Sequence, residues 1–352
     1  MTSPPERAPG FIDRAVDWMA RAMDKLGWNG ARLRWKWNRR RREVGESGLR
    51  TAILWRSATA SYKMCPSCRA LVPRSAASCS ECGAGLAAVR APGLSRLISN
   101  VIPGATAASS VLLLANGILF VLMLMTAISS ERSRGLLAAF DPSTLVRFGS
   151  GLNLLTIAHG EWWRIVTPIF LHGGLLHFGF NCYALLQLGP LVEEEYGTER
   201  FAVVYVVSGI FGNVFSQYVR PVLADFVPWL GPGVHTVGAS GAICGLIGLM
   251  LASGAKRGGG VGRRIRSGMT QYALYLLIFS LLPGIDLLCH VGGFVGGLLL
   301  GLVVSTGPFR SRRAAALWEG LVVTLVLVIL LAFYRVAAHG PESVRWLDSL
   351  RG

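Results

Sequence analysis

The sequence predicts an all-α, polytopic membrane protein, and three observations support this fold class. First, 52% of the 352 residues are hydrophobic and only 15% are charged, whereas about 25% of residues in an average soluble domain are charged. Second, apolar runs recur along the chain with lengths close to the roughly 20 residues that a membrane-spanning α-helix needs. Third, more than half of the 35 Lys and Arg residues precede the first long run. The net charge of +16 therefore indicates a cytoplasmic segment that follows the positive-inside rule rather than a nucleic-acid partner.

Seven apolar runs are predicted to span the membrane. Basic clusters at residues 256–266 and 310–313 fall in two even-numbered loops, on the side of the N-terminus. By the positive-inside rule that side is cytoplasmic, and an odd number of spans leaves the C-terminus outside. The seven predicted spans are residues 109–127, 172–192, 201–218, 240–255, 271–282 with a short extension, 290–305 and 315–334.

The amino-terminal segment, residues 1–60, has the pattern of a membrane-surface element. Residues 11–26 carry apolar side chains at helical spacing, and tryptophans alternate with cations over residues 32–42. This composition is typical of a basic amphipathic segment on an anionic lipid surface. A solvated charged linker explains the pattern equally well, and no nucleic-acid partner is expected.

Two Cys-x-x-Cys pairs predict a structural zinc site in residues 61–86. Cys65 and Cys68 form the first pair, and Cys79 and Cys82 form the second. Two such turns direct four thiolates at one tetrahedral Zn²⁺, and four filled positions leave no open site for catalysis. Disulfides or a redox site are the alternatives, but the basic flanks indicate the reducing cytoplasm, where structural disulfides are rare. The module resembles a short zinc ribbon, with a role in folding or in binding a protein partner; residues 87–107 are a linker.

Polar side chains interrupt three of the predicted spans. His172, His177 and Asn181 lie at the start of the second span, Ser240 opens the fourth and His290 opens the sixth. A serine among glycines at a helix start is ordinarily a cap or a packing contact. Several polar groups inside apolar spans are costly unless they meet partners or water, and this cost favours a functional site.

The glycine spacing suggests how these groups meet. Gly241 and Gly245 follow Ser240, and Gly293 and Gly297 follow His290, both as small-xxx-small motifs. Two helices with such faces can approach closely. If these faces meet, Ser240 comes within hydrogen-bond reach of His290, as activation of a serine by a general base requires. His177, Asn181 and the Ser240 backbone N–H would then be available as oxyanion donors.

Taken in order, these motifs resemble the rhomboid family of intramembrane serine proteases over about residues 109–305. The resemblance implies a six-helix protease core at residues 108–305, a Ser240–His290 dyad, and a wet cavity that opens to the outer face. It also implies that Asp286 caps the sixth span and is no third catalytic group. The motif residues are Trp163, Arg164, Thr167, His172, His177, Asn181, Glu193, Gly197, Gly238, Ser240, Gly241, His290, Gly292, Gly293 and Gly297.

Two features differ from the family pattern or lie outside it. Many family members carry an aromatic ring four residues after the serine, which stacks on the catalytic histidine, whereas Cys244 stands here. The seventh span with its tail, residues 306–352, and the zinc module lie outside the core.

The expected function is an intramembrane serine endopeptidase that cuts transmembrane segments of membrane-protein substrates without a catalytic cofactor. The expected location is a bacterial plasma membrane, with a cytoplasmic N-terminus and a site that opens outward. One alternative is a non-catalytic rhomboid-like protein that binds or routes membrane partners. Another is a transporter with a histidine proton relay, for which the sequence lacks a repeated half.

Overall fold

The computed structural model describes residues 106–129, 139–227, 230–231, 235–282, 284–307, 309 and 311–349, with a few short stretches before residue 84. The chain divides into two compact units, Met1–Arg90 and Ala91–Gly352. In the first unit, strand β1 (Tyr62–Met64) pairs antiparallel with β2 (Leu71–Pro73). Most of the predicted surface segment and of the 87–107 linker lies outside the described residues.

The second unit is helical. Single-turn helices at Leu154–Ala158, Trp162–Ile165 and Thr167–Phe170 lie in the connection from Arg147 to Leu175, which we call loop 1. A π-helical segment, Phe215–Val219, joins Val214 to Arg220. The α-helices are α1 (Ala107–Ser129), α2 (Pro142–Arg147), α3 (Leu175–Tyr196), α4 (Thr198–Val214), α5 (Arg220–Ala224), α6 (Ser240–Arg257), α7 (Gly259–Phe279), α8 (Leu287–Val303) and α9 (Arg312–Ser349).

Helices occur at all seven predicted spans, and the all-α polytopic class is confirmed. Among the described residues, four helices are long and apolar enough to cross a bilayer: α1, α3, α4 with its extension to Ala224, and α9. Helix α8 is apolar but has only 17 residues. Helices α6 and α7 are less apolar because glycines punctuate α6 and basic residues open α7. The count of seven crossings stays a prediction.

Helix α6 is the centre of the unit. Residues 241–250 are all buried, and α6 packs against α4, α7 and α8. The contact with α8 uses the two predicted glycine faces: a Cβ on Gly293 would collide with the Gly241 carbonyl oxygen, and one on Gly297 with the Gly245 carbonyl oxygen. This close approach places the first turns of α6 and α8 side by side.

The opposite end of the unit is held by Glu193 on α3. Its carboxylate accepts hydrogen bonds from the backbone N–H groups of Ala108 and Ser109 at 3.0 Å and from the Thr198 hydroxyl at 2.9 Å. A carboxylate at a helix N-terminus satisfies donors that the helix leaves free and complements its dipole. Gly197, at φ 86°, then turns the chain from α3 into α4.

Helix α9 is longer than predicted. The apolar run ends near residue 334, but the helix continues through Pro341 to Ser349. In this extension Gly340, Val336 and Ser343 are buried against other parts of the unit. Tertiary packing, rather than apolar composition, therefore explains the added turns.

Candidate active site

Ser240 and His290 meet at the adjoining ends of α6 and α8. The Ser240 Oγ lies 2.6 Å from the His290 Nε2. Ser240 is the first residue of α6 and is half-buried, whereas His290 lies in the first turn of α8 and is buried. A hydroxyl in such contact with an imidazole nitrogen has the arrangement that general-base activation requires.

Gly238 brings a second imidazole to the serine. Its φ of 124° is in the region that only glycine adopts readily, and a Cβ there would lie 2.7 Å from His177 Nε2 and 3.3 Å from Ser240 Oγ. The His177 ring therefore faces the serine hydroxyl across Gly238. The Gly173 backbone N–H donates to His177 Nδ1 at 3.2 Å. Because that nitrogen is an acceptor, a neutral His177 carries its proton on Nε2, the nitrogen that adjoins Gly238.

The other two predicted polar residues support this arrangement in different ways. His172 is fully buried and packs edge-on against the rings of His177, at 5.5 Å between centroids, and Phe178, at 5.3 Å. Asn181 is buried one turn after His177, and its Nδ2 donates to the His177 carbonyl oxygen at 2.9 Å. The second N–H of that amide makes no further contact with a described residue, so it is available as a donor.

Comparison with known proteins identifies the family. A model described as "Rhomboid domain" matches residues 159–307. The chain is 33% identical over 206 residues to the rhomboid protease GluP of Bacillus subtilis, covering 57% of this chain and 37% of that protein. It is 37% identical over 155 residues to YdcA of the same organism, covering 44% of this chain and 72% of YdcA. It is 32% identical over 212 residues to rhomboid-like protease 1 of Toxoplasma gondii, covering 58% of this chain and 69% of the relative.

This chain belongs to the rhomboid family. The predicted family assignment is thereby confirmed at the level of the helical core. The chain spans little more than a third of the length of GluP, and the matched region begins after the cysteine pairs.

In this rhomboid protein, loop 1 holds the segment that carries the serine. The Gly238 N–H donates to the Pro168 carbonyl at 2.9 Å, and Gly151 and Thr236 exchange two backbone hydrogen bonds of 2.9 and 2.8 Å. Arg164 is fully buried inside the loop, where its Nε donates to Glu161 at 2.6 Å. Burial lowers the pKa of this guanidinium, and the charge and hydrogen bond of Glu161 oppose that shift.

The sequence predicts that the Trp163-Arg164 segment lies partly in the outer interface, with the guanidinium hydrogen-bonded to backbone or lipid. In the structure the guanidinium bonds to backbone: the Arg164 Nη1 donates to the carbonyl oxygens of Val146 at 3.0 Å and Ser150 at 2.9 Å. Thr167, from the same motif, donates to the Gly149 carbonyl at 2.6 Å. The Trp-Arg motif therefore orders loop 1 through hydrogen bonds to its backbone.

Asp286 lies at the start of α8 and joins three elements. Its Oδ1 accepts from the Cys289 N–H at 3.1 Å and from the Arg220 Nη2 at 2.6 Å, while Oδ2 accepts from the hydroxyls of Ser216 at 2.5 Å and Thr236 at 2.6 Å. In the Arg220–Asp286 ion pair the Arg220 side chain is buried and the Asp286 side chain is 9% exposed. Sequence reasoning found the cap but missed these three partners.

Ser280, which sequence reasoning also missed, contacts the other nitrogen of the candidate base. Its Oγ lies 2.5 Å from His290 Nδ1, and it is 3% exposed. Ser280 follows Phe279, the last residue of α7, in a predicted span that contained no candidate site residue. A serine near the end of an apolar run ordinarily bonds back to its own helix, so its spacing gives no reason to single it out.

An apolar cavity of about 360 Å³ lies beside His290, between α6, α7 and α8. Cys244, Ser280 and His290 line it together with Leu276 and Phe294, and Ser240 does not. Cys244 is buried and its thiol is free. The cavity thus lies where the small Cys244 side chain leaves room beside the imidazole.

The predicted zinc ligands can be placed only in part. Cys79 is buried, and its carbonyl accepts from the Gly83 N–H at 3.0 Å in a turn that Gly83 completes at φ 68°. Cys65, Cys68 and Cys82 lie outside the described residues. Within the described part of the chain, no group of three potential ligands comes together. The other three cysteines stand in apolar runs without Cys-x-x-Cys spacing, which indicates packing residues rather than ligands. Cys244 and Cys289 are buried and Cys182 is half-buried, and none of the three forms a disulfide.

Proposed function

We propose that this rhomboid protein is an intramembrane serine endopeptidase that cuts transmembrane segments of other membrane proteins. The observation that carries the proposal is the 2.6 Å contact between Ser240 Oγ and His290 Nε2, with His177 facing the same hydroxyl. A non-catalytic family member that only binds membrane partners is the alternative. The presence and contact of both residues argue against it, because a binding function requires neither.

The chemistry follows from the proton positions. Ser240 Oγ attacks the scissile carbonyl carbon as its proton passes to His290 Nε2, and the carbonyl oxygen becomes an oxyanion. The His177 Nε2–H, the Ser240 backbone N–H and the Asn181 amide are the donors for that oxyanion. The C–N bond then breaks as the imidazolium returns its proton to the leaving amine. Water, deprotonated by His290, hydrolyses the acyl-enzyme and restores the Ser240 hydroxyl.

Substrate access is proposed from the outer face. Ser240 is partly exposed at the end of its helix, and irregular backbone at membrane depth is stable only around protein or a wet cavity. A substrate helix must unwind before its carbonyl can be attacked. We therefore expect cleavage near helix ends, at small or helix-destabilising residues whose unwinding costs least.

The test is cleavage of a labelled single-span substrate by the purified protein in liposomes. The comparison uses Ser240→Ala, His290→Ala and, as a matched serine control, the exposed Ser267→Ala on α7. We expect cleavage by wild type and Ser267→Ala, and no detectable cleavage by the two site variants. A wild type that binds the substrate without cutting it, or site variants that cut equally well, would overturn the proposal.

We further propose that Cys65, Cys68, Cys79 and Cys82 hold a structural Zn²⁺. The β1–β2 hairpin flanks the first pair, and the buried Cys79 begins a turn closed by Gly83; both features fit zinc-knuckle geometry. The roles proposed for the basic 1–60 segment and for this module are anionic-lipid binding and partner binding. Metal analysis of the purified protein should give close to one zinc per chain and much less for Cys79→Ser; a disulfide-bonded, metal-free product contradicts the assignment.

A further inference from the structure

Ser280 makes two close contacts through a single oxygen. Its Oγ lies 2.5 Å from His290 Nδ1 and also 2.5 Å from the Leu276 carbonyl oxygen. The Ser280 backbone N–H donates to that same carbonyl at 2.9 Å, within the capacity of its two lone pairs. Ser280 and His290 are buried, and Leu276 is half-buried beside the same cavity.

The proton on this hydroxyl can serve only one of the two contacts. A carbonyl oxygen can only accept, so the contact with Leu276 is a hydrogen bond only if Ser280 O–H donates to it. The same Oγ must then accept from His290, which places a proton on Nδ1. In the reverse arrangement the Oγ would face the carbonyl lone pairs at 2.5 Å, which is repulsive. The arrangement in which both contacts are hydrogen bonds leaves the Nε2 lone pair directed at Ser240.

On the side of the cavity, Ser280 is the hydrogen-bond partner of the His290 imidazole among the described residues. The cavity of about 360 Å³ begins at its face, and Cys244, which lines that cavity, is too small to fill it. A histidine that acts as a base must keep one tautomer and one ring orientation, and a third group ordinarily provides both. The hydrogen bond to Ser280 is therefore the restraint available where an aromatic ring is lacking.

We propose that Ser280 is the positioning residue of the site: its hydroxyl holds His290 in the Nδ1–H tautomer, with Nε2 free to take the Ser240 proton. The inference rests on the proposed protease function for its kinetic consequence, but the tautomer itself does not depend on activity. When the imidazolium forms, its Nδ1–H still donates to the Ser280 Oγ, and a hydrogen bond to a charged group is stronger than a neutral one.

Kinetics of paired variants test the role. Ser280→Ala removes the acceptor, whereas Ser280→Thr keeps the hydroxyl and adds a methyl group that the adjoining cavity can hold. We expect kcat to fall by about 10- to 100-fold in Ser280→Ala, the range that loss of a hydrogen bond to a charged group gives, with KM nearly unchanged. Ser280→Thr should restore most of kcat. Thr126→Ala, which loses the same type of hydroxyl-to-carbonyl bond on α1, should match wild type.

A double variant tests the link to the cavity. Phe at position 244 would place a ring in the cavity beside His290, so Ser280→Ala should cost several-fold less kcat in a Cys244→Phe background than in wild type. Equal losses in the two backgrounds, or equal losses for Ser280→Ala and Ser280→Thr, would show that Ser280 acts through packing alone and would overturn the proposal.

Nitrogen-15 NMR of histidine-labelled protein gives the independent readout. The His290 signals, assigned by their absence in His290→Ala, should show a protonated Nδ1 and a bare Nε2 in wild type, and a mixture of tautomers in Ser280→Ala. A wild-type ring protonated on Nε2 contradicts the inference even if cleavage is observed. A wild type that shows the Nδ1–H tautomer but cleaves nothing would instead contradict the proposed function alone.

Discussion

Gly238 is a residue at which backbone geometry and site chemistry coincide. Its φ of 124° lies in the left-handed region, and the space that a side chain would need is taken by the His177 ring. Two separate costs therefore oppose any other residue here: backbone strain and displacement of an oxyanion donor. The sequence identifies Gly238 as a motif residue in the turn before the serine, but that position gives no indication of the His177 contact.

Gly238→Ala should therefore abolish most activity while leaving the protein folded. The matched control is Gly231→Ala, because Gly231 also has a positive φ, of 63°, but an added Cβ there would meet no atom of the described residues within 4 Å. Strain alone should cost each variant about 1–2 kcal/mol of stability. Thermal unfolding and cleavage rate, measured side by side, separate the two effects. Equal activity of the two variants would mean that the His177 contact is not needed.

At the level of elements, the C-terminal half of α9 is packed on loop 1. The Ser343 hydroxyl donates to Glu161 at 2.9 Å, and the His339 ring stacks on Trp163 with centroids 5.4 Å apart. Ala332 and Val336 bury the same tryptophan. Glu161 is also the ion-pair partner of Arg164. Helix α9 therefore contacts the carboxylate that holds the arginine by which loop 1 is ordered. The helix outside the family core is thus joined to the loop that supports the serine.

Gly340→Leu should disturb loop 1 and lower cleavage. A Cβ at this position would collide with the Arg147 carbonyl oxygen, whereas one at Gly320 on the same helix meets nothing within 4 Å. Gly320→Leu is therefore the control for a larger side chain on α9. We expect a loss of thermal stability of about 1–3 kcal/mol for Gly340→Leu, as for other overpacked sites, together with a lower kcat. If Gly340→Leu and Gly320→Leu cleave alike, α9 does not support the loop.

The elements also show what a sequence can predict. Helices at the seven apolar runs, and the close approach of α6 and α8, follow from composition and glycine spacing, which are local properties. The contacts of Ser280 with His290, and of Asp286 with Arg220, join residues from different elements. No local pattern indicates such contacts, because each depends on how helices pack. The continuation of α9 past residue 334 was missed for the same reason.

At the scale of the whole helical unit, the candidate active site and the basic cluster around Arg257 lie at opposite ends. The end that holds Ser240 and His290 also holds loop 1 and the last turns of α9, joined by Ser343 and Glu161. The other end holds the ion pair of Arg257 with Glu195 and the contact of Arg200 with the Gly307 carbonyl. The basic residues Arg263, Arg264 and Arg266 lie in the first two to three turns of α7, and the Arg266 Nη1 donates to the Gly254 carbonyl near the end of α6. The positive-inside rule therefore predicts that the second end lies in the cytoplasm and the candidate site outside.

Because the last turns of α9 lie at the same end as the candidate site, the side of the membrane on which the C-terminus lies tests the side on which Ser240 lies. Alkaline phosphatase, which is active only outside the cytoplasm, fused after Gly352 should be active in a bacterial host, and green fluorescent protein at the same position should be dark. The same reporters placed before Met1 should give the opposite pattern. Because the last turns of α9 contact loop 1 beside the candidate site, a cytoplasmic C-terminus would put Ser240 on the cytoplasmic side. That result would contradict the predicted orientation without changing the geometry of the site.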